Sequence, residues 1–254
     1  MINYKVIEAF STAKRILFIT GAGVSAESGI PTYRGATGLY NGTETEDGMP
    51  IETALSGDML RTRPEICWKH IARIEASCRG KKPNAGHEII RKFEIEKPNS
   101  WVLTQNVDGL HRAAGTQNLI EMHGGLDRLF CIKRNCGYEH FVEDFSGLTE
   151  IPPKCPTCSS VLRPDVVLFG ESLPRNAMKD YQRELEIGFH LVVSIGTTSV
   201  FPYISYPVQD AVRRDVPTIE INPDTTEISL MVDHHLRMGA GEALTEIWNR
   251  CHPA

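Results

Sequence analysis

Polar side chains follow the ends of several apolar runs in this sequence, at positions where they could do chemistry. The runs and the residues that follow them are WVLT (101–104) with Gln105, Asn106 and Asp108, LIEM (119–122) with His123, LVVSI (191–195) with Gly196, Thr197, Thr198 and Ser199, and TIEI (218–221) with Asn222. If the runs are parallel strands, these side chains meet at one edge of a sheet, where ligands bind in α/β proteins. Such residues are also common in ordinary turns, but the agreement of all these ends favours a ligand site.

One histidine in this set is suited to proton transfer. His123 directly follows its strand and precedes two glycines, and an imidazole can act as a general base near neutral pH. Other histidines are weaker candidates. His87 and His111 stand at helix or loop starts, where they could be hydrogen-bonded structural groups, and His234 and His235 are expected in a solvated loop.

The first apolar run, ILFIT (16–20), leads directly into a glycine-rich segment. Gly21, Gly23 and Ala26 fit the pattern G-x-G-x-x-A where a helix should begin, and such a loop can cradle a pyrophosphate. A purely structural glycine turn remains the alternative. A dehydrogenase would hold the adenosine ribose through an acidic residue about 20 positions further on. Glu44 and Glu46 have that spacing, but NGTETEDG does not resemble a strand, so we predict a dinucleotide held in another way.

Four of the seven cysteines form two pairs, Cys131/Cys136 and Cys155/Cys158. Both spacings lie within the range of zinc ligands, and four thiolates would close a tetrahedral site to water and substrate. We therefore predict a structural zinc site, with unrelated reduced thiols as the alternative. A zinc ribbon alone would also suit a nucleic-acid module. The other cysteines are expected to be buried small hydrophobes or inert thiols: Cys67, Cys78 and Cys251.

Apolar runs and helix-like stretches alternate along the chain, which predicts an α/β fold with a Rossmann-type doubly wound parallel sheet. The expected strands are 16–20, 101–104, 119–122, 166–169, 191–195 and 218–221, and the expected helices are 3–12, 59–78, 84–95, 177–187, 205–214 and 240–250. Residues 35–58 are Gly-rich and acidic, typical of a mobile loop. We expect a large domain (1–34, 76–125 and 164–254) and a smaller zinc-binding/helical domain built from two insertions (35–75 and 126–163).

Composition and charge exclude several classes of protein. Hydrophobic residues make up 41% and charged residues 23% of the chain, which is ordinary globular usage and excludes wholesale disorder. The net charge of −5 argues against a dedicated nucleic-acid binder. No run approaches the ~18 apolar residues of a membrane span, and the N-terminus has no apolar signal region. We expect a cytoplasmic monomer with no membrane or nucleic-acid partner.

Seven features occur together in the order of a known family. They are GAGVSAESGIPTYRG, TQNVDGLH, EMHGG, the two cysteine pairs, RPDVVLFGE, GTTSVFP and IEIN. Over about residues 10–250 the chain resembles the sirtuins, NAD-dependent protein lysine deacylases of the silent information regulator family. The resemblance implies a bacterial-type enzyme with NAD as co-substrate, structural Zn²⁺, and acyl-lysine proteins or peptides as substrate.

The resemblance also implies roles for individual residues. The expected NAD-binding residues are Gly21, Ala22, Gly23 and Ser25 at the phosphates, Arg34 near the pyrophosphate, Ile30 and Asp108 at the nicotinamide pocket, Gln105 and Asn106 around the nicotinamide ribose, and Gly196, Thr197, Thr198, Ser199, Asn222 and Ala240 at the phosphate and adenosine portions, with Tyr33 where the family usually has Phe. The segment VVLFG (166–170), with Val167, Phe169 and Gly170, resembles the one that pairs with the substrate backbone.

The implied mechanism begins with attack of the acyl-lysine amide oxygen on C1′ of the nicotinamide ribose, which releases nicotinamide and leaves an alkylimidate. His123 would then act as general base on a ribose hydroxyl, with Asn106 and Asp108 as the other expected catalytic residues. Two other functions stay open. They are ADP-ribosyl transfer to a protein, and a catalytically silent module that binds NAD or peptide.

The acyl group is expected to be neutral. Sirtuins that prefer succinyl or malonyl lysine carry a Tyr-x-x-Arg pair on the helix before PNAGH, and the matching positions here are Ile71 and Ile74. Arg73 is adjacent in sequence but about 100° away around a helix. An apolar pocket would leave a charged acyl group unpaired at considerable cost, so we predict a deacetylase.

Overall fold

The computed structural model describes residues 2–33, 38 and 44–253. The elements in chain order are α1 (Tyr4–Thr12), β1 (Ile16–Thr20), a 3-10 helix (Ala22–Ser28), α2 (Ile51–Ala54), α3 (Gly57–Thr62), α4 (Pro64–Cys78), α5 (Ala85–Glu96), β2 (Trp101–Thr104), α6 (Leu110–Ala113), β3 (Leu119–Glu121), β4 (Gly124–Cys131), β5 (Glu139–Phe141), β6 (Leu162–Val166), α7 (Arg175–Ile187), β7 (Leu191–Ile195), α8 (Pro202–Arg213), β8 (Thr218–Ile221), β9 (His234–Leu236) and α9 (Ala240–Cys251).

A six-stranded parallel sheet forms the centre of the larger unit. Its strand order is β3-β2-β1-β7-β8-β9, and each neighbouring pair is parallel. The order reverses between β1 and β7, so the connections after these two strands leave toward opposite sides. Ligands bind at such a switch point in open α/β sheets. The predicted Rossmann-type sheet is confirmed.

Helices cover both faces of this sheet because its strands are apolar on both sides. On one face α1, α5 and α9 pack against the strands around Phe10, Phe18 and Phe93, whose rings lie 5.0–6.4 Å apart. On the other face α7 and α8 pack around Leu103, Ile204 and other aliphatic side chains. Strands β1 and β7 are buried at every position, as expected for a parallel sheet covered twice.

The smaller unit has its own sheet and core. Strands β5-β4-β6 form an antiparallel sheet, and its core joins residues from α2–α4 to residues from β4 and β6. Trp68 is fully buried there and donates from Nε1 to the carbonyl of Leu162 at 2.8 Å. The two insertions therefore pack together. The domain boundaries given above stay a prediction.

Two of the predicted elements are wrong. The expected helix 59–78 is divided into α3 and α4 because Pro64 lacks an N–H and holds Arg63 outside the helical region, at φ −139° and ψ 67°. The run 166–169 is no strand of the large sheet. The chain pairs over Leu162–Val166 with β4 instead, and Leu168 is buried in the core of the smaller unit. An apolar run indicates burial but does not say which sheet it joins.

The histidine pair near the C-terminus also departs from expectation. His234 and His235 lie in the edge strand β9 rather than in a solvated loop. The Nε2 atom of His235 lies 2.9 Å from the carbonyl oxygen of Asn222. Polar residues in a three-residue edge strand give too little pattern to be read as a strand.

Two further expectations concern residues 35–58 and helices that could cross a membrane. Of residues 35–58, predicted to be a mobile loop, 35–37 and 39–43 lie outside the described residues, whereas Ile51–Ala54 form α2 and Gly57 begins α3. Among the residues that the structure describes, none of the helices is both long enough and apolar enough to cross a membrane.

Candidate functional site

The glycine loop after β1 packs directly on the loop after β7. The N–H of Gly23 donates to the carbonyl of Gly196 at 2.8 Å, and the N–H of Gly21 donates to that of Ile195 at 3.1 Å. A Cβ atom on Gly23 would lie 2.6 Å from Cα of Gly196. These glycines therefore let two strand ends touch, a role that the phosphate-binding pattern alone did not predict.

Three of the predicted site residues form one hydrogen-bonded group. Ser25 Oγ donates to Asp108 Oδ2 at 2.7 Å, and Asn106 Nδ2 lies 3.3 Å from Ser25 Oγ and 3.1 Å from the carbonyl of Gly21. The other carboxylate oxygen of Asp108 accepts from the N–H of Leu110 at 2.9 Å. The end of β2 is thus fixed against the glycine loop, with an amide and a carboxylate side by side.

Thr197 links a second set of predicted residues. Its hydroxyl accepts from Gln105 Nε2 at 2.7 Å and from the N–H of Ser199 at 3.2 Å. Its carbonyl accepts from Asn222 Nδ2 at 3.1 Å. The ends of β2, β7 and β8 therefore meet at Thr197, as predicted for polar residues at parallel strand ends. Thr198, in contrast, has an exposed side chain.

His123 completes the set. Its Nδ1 atom lies 3.0 Å from the carbonyl oxygen of Gln105, and its Nε2 atom lies 2.7 Å from the hydroxyl of Tyr203. Burial lowers the pKa of His123 below its ordinary value, although the hydrogen bond to the Gln105 carbonyl opposes this effect. The imidazole is therefore neutral at physiological pH, as a general base must be.

Two buried histidines support this edge of the sheet. His111 Nε2 lies 2.9 Å from Thr20 Oγ1, which donates to Thr104 Oγ1 at 2.9 Å. The ring of His87 contacts that of His111 edge-on at 4.8 Å. Burial lowers the pKa of both imidazoles, that of His111 to about 3. The interpretation of these two as structural groups agrees with their positions.

The structure describes the remaining expected NAD-binding residues, with one exception. Ala22 begins the 3-10 helix, and the N–H of Ile30 donates to the carbonyl of Ser25 at 3.3 Å. Tyr33 packs against the core of the smaller unit. Ala240 begins α9 and is buried. Arg34 lies outside the described residues.

A buried hydroxyl without a hydrogen-bond partner indicates that this site fits a polar ligand. Ser199 is 2% exposed and adopts φ 57°, and its hydroxyl has no hydrogen-bond partner among the described residues. Buried hydroxyls are nearly always paired. A nucleotide at this strand end would supply the acceptor, so the residues present fit NAD.

The segment 167–170 runs from the histidine to the smaller unit. The N–H of Val167 donates to the carbonyl of His123 at 3.0 Å, and Phe169 pairs with the backbone of Leu55 and Gly57. Gly170 adopts φ 80°. Glu171 Oε2 accepts from the N–H of Leu168 at 2.9 Å and from Arg163 at 2.9 Å, so an ion pair holds the segment in place.

The two isoleucines expected at the acyl group lie on α4. Ile71 is 2% exposed and Ile74 is half-buried, and both belong to the core cluster that Phe169 and Val107 also contact. Arg73 turns away and pairs with Glu46 at 2.7 Å.

The cysteine pairs converge in the smaller unit. The Sγ atoms of Cys131 and Cys158 are 3.5 Å apart, those of Cys136 and Cys155 are 3.7 Å apart, and all four lie within 4.8 Å of one another without a disulfide. Zn–S bonds of about 2.3 Å in a tetrahedron require S–S distances of about 3.8 Å. The cluster therefore fits a structural zinc ion.

The three other cysteines are poor nucleophiles. Burial raises the pKa of the Cys67 thiol to about 12 and that of Cys78 to about 11, and it also raises that of Cys251. Thiolates are the reactive form, so these residues act as small apolar groups.

Sequence reasoning missed the partner of His123. Tyr203 stands one residue beyond the motif GTTSVFP and 80 positions from His123, and no sequence signal connects them. It also missed Glu27, whose carboxylate accepts from the N–H of Gly241 at 2.8 Å and so joins the glycine loop to the start of α9.

Comparisons with known proteins agree with this geometry. Residues 21–202 match the model of the Sir2 family. The chain is 50% identical over 232 residues to NAD-dependent protein deacylase 2 of Pseudomonas aeruginosa, covering 90% of this chain and 89% of that protein. It superposes on the crystal structure of a Sir2 homolog–NAD complex with TM-score 0.86 and 34% identity, covering 99% and 94% of the two chains. A Sir2 structure with a deacetylated p53 peptide and 3′-O-acetyl ADP-ribose gives TM-score 0.86 and 25% identity, covering 98% of each chain.

Proposed function

Because this chain belongs to the Sir2 family, we propose that its site removes acetyl groups from protein lysine side chains, with NAD as co-substrate. NAD-dependent lysine deacylation is the activity of the family, and acetyl is the acyl group that this chain's own residues favour. The observation that carries the proposal is the position of His123, held neutral where the ends of β2, β7 and β8 meet.

NAD supplies an electrophilic ribose carbon that accepts the acyl oxygen when nicotinamide leaves. The residues of this chain hold the glycine loop in place and deprotonate a ribose hydroxyl. Asn106 and Ser25 fix the glycine loop, while Asp108 keeps a carboxylate beside them. His123 presents one ring nitrogen as a base for a ribose hydroxyl, since its other nitrogen faces the Gln105 carbonyl. The overall reaction would consume one water, and its products would be free lysine, nicotinamide and acyl-ADP-ribose.

The segment 167–170 is proposed to bind the substrate backbone. The N–H of Val167 is held by the carbonyl of His123 and that of Leu168 by the Glu171 carboxylate, so a peptide strand added there would place its lysine close to the base. This arrangement supports Val167, Phe169 and Gly170 as substrate-binding residues.

The acyl preference rests on the core of the smaller unit. Ile74, Phe169 and Val107 are apolar neighbours in one cluster, and the guanidinium of Arg73 is engaged with Glu46. A succinyl carboxylate would lose its hydration there without gaining a cation. Ile71 and Ile74 are therefore proposed to select neutral acyl groups.

Partner and compartment are also proposals. The net charge of −5 supports a peptide rather than a nucleic acid as the partner, and unpaired thiols in all seven cysteines suit a reducing cytoplasm. We expect a monomer, and light scattering would measure the oligomeric state.

Mass spectrometry of an acetyl-lysine peptide incubated with NAD tests the function. We expect acetyl-ADP-ribose, free lysine and nicotinamide from the wild type, and no acyl-ADP-ribose from His123→Ala. The exposed His140 in β5 offers a matched control, His140→Ala, which should remain active. A succinyl peptide should react at least about tenfold more slowly. ADP-ribose attached to the peptide would favour a transferase, and absence of nicotinamide release would favour a silent binding module.

A further inference from the structure

An aromatic pair covers the free side of His123. Tyr203 is the second residue of α8, and its ring stacks on that of Phe201 with centroids 5.5 Å apart and planes 13° apart. The Phe201 ring in turn meets the imidazole edge-on, at 6.0 Å and 86°. The Tyr203 hydroxyl ends this cluster 2.7 Å from Nε2.

The directions of the hydrogen bonds follow from chemistry. The Gln105 carbonyl can only accept, so Nδ1 of His123 carries the proton. The neutral ring then has its lone pair on Nε2, and the Tyr203 hydroxyl must be the donor to it. Burial raises the pKa of Tyr203 to about 12, so the phenol keeps this proton at physiological pH.

This hydrogen bond conflicts with the role of His123 in the reaction. An imidazole nitrogen has one lone pair, and a general base uses it to take the proton of its substrate. The Tyr203 hydroxyl therefore occupies the place at which a ribose hydroxyl must arrive. We propose that Tyr203 is a positioning residue: its hydroxyl caps His123 in the free enzyme and gives way to the ribose hydroxyl before deacylation. This inference rests on the proposed function.

The fold allows such an exchange. Tyr203 is half-buried and follows residues 196–201, which join β7 to α8 without forming a helix or strand. Phe201 is 37% exposed, so the stacked pair stands at the rim of the site. A net hydrogen bond of this kind is worth about two- to tenfold in an equilibrium or rate, enough to hold the Tyr203 hydroxyl on Nε2 in the free enzyme yet small enough to be displaced.

The variant Tyr203→Phe removes the hydroxyl and keeps the stacked ring. Tyr206→Phe is the matched control, because Tyr206 lies on the same helix, is 44% exposed and contacts Arg213 rather than the site. The first measurement is the ¹⁵N chemical shift of His123 Nε2 in the enzyme without ligand. We expect it to move toward that of an unbonded imidazole nitrogen in Tyr203→Phe and to stay unchanged in the control.

The second measurement separates two steps in a single turnover with an acetyl peptide and NAD. Nicotinamide release precedes the action of His123 and should keep its rate in Tyr203→Phe, whereas acyl transfer should become about two- to tenfold faster. An unchanged Nε2 shift, or acyl transfer that is unchanged or slower, overturns the proposal. If the wild type releases no nicotinamide, the proposed function fails instead, and the ¹⁵N shift still decides whether Tyr203 caps His123.

Discussion

Gly23 and Gly196 touch through their backbones, with the N–H of one 2.8 Å from the carbonyl oxygen of the other. Gly196 also adopts φ 58°, and a Cβ atom there would lie 2.5 Å from the backbone nitrogen of Val24. The loop after β1 and the loop after β7 therefore meet at a close approach that only glycine permits.

Replacing Gly196 should damage this contact. We expect Gly196→Ala to lower the free energy of unfolding by about 2–4 kcal/mol, through strain and overpacking together, and to abolish NAD binding measured by calorimetry. Gly80→Ala separates the two causes. Gly80 adopts φ 70° with open space around it, so that variant should lose only about 1 kcal/mol and bind NAD normally. Equal losses in the two variants would contradict the role assigned to the contact.

Removing a zinc ligand should affect the smaller unit first. Cys155 is 2% exposed within the four-cysteine cluster, so Cys155→Ser should lower the zinc content from about one ion per chain to nearly none. Thermal unfolding should shift downward by several degrees, because metal binding contributes to folding. Cys251→Ser, outside the cluster, should keep its zinc. Full zinc content in Cys155→Ser, measured by elemental analysis, would argue against the site.

Acid should destabilise the protein through its buried histidines. His111 has a pKa lowered from 6.5 to about 3 by burial and by the neighbouring His87. Below pH 6.5 the unfolded chain binds a proton that the folded chain refuses, so stability is full above about 6.5 and falls as pH decreases. Each such histidine contributes a slope of up to about 1.4 kcal/mol per pH unit.

Urea unfolding of His111→Gln between pH 6 and 5 measures this contribution. The slope of the unfolding free energy against pH should decrease, relative to wild type, by the contribution of about one bound proton. This holds whatever the overall loss of stability. His140→Gln, at an exposed position in β5, is the control for the same change of side chain made on the surface. An unchanged slope in His111→Gln would show that His111 does not resist protonation in the folded state.

Glu171 should control peptide binding from a distance. Its carboxylate accepts from Arg163 at 2.6 and 2.9 Å and from the N–H of Leu168. Glu171→Gln keeps the shape but removes the charge, so the segment 167–170 should loosen and KM for the peptide should rise about three- to tenfold. The KM for NAD should stay the same, because the glycine loop is untouched. A rise in the KM for NAD with an unchanged KM for the peptide would contradict this role of Glu171.

The sequence by itself determined most of the large sheet, the polar residues at its strand ends and the cysteine cluster. Continuous apolar runs predicted five of the six strands of the large sheet at Ile16, Trp101, Leu119, Leu191 and Thr218, since a parallel sheet covered on both faces must be apolar throughout. The ends of these strands carried the polar residues that meet at Thr197, and the cysteine spacing predicted the cluster.

Tertiary structure decided what local pattern could not. The run 166–169 is apolar because Val166, Leu168 and Phe169 pack in the core of the smaller unit, and its sequence cannot say which sheet it joins. The edge strand with His234 and His235 exists because β8 offers it backbone partners. The contact between His123 and Tyr203 joins residues 80 positions apart. Hydrogen bonds at that separation depend on how β3 and α8 are brought together by the packed sheet, and only the folded chain specifies that geometry.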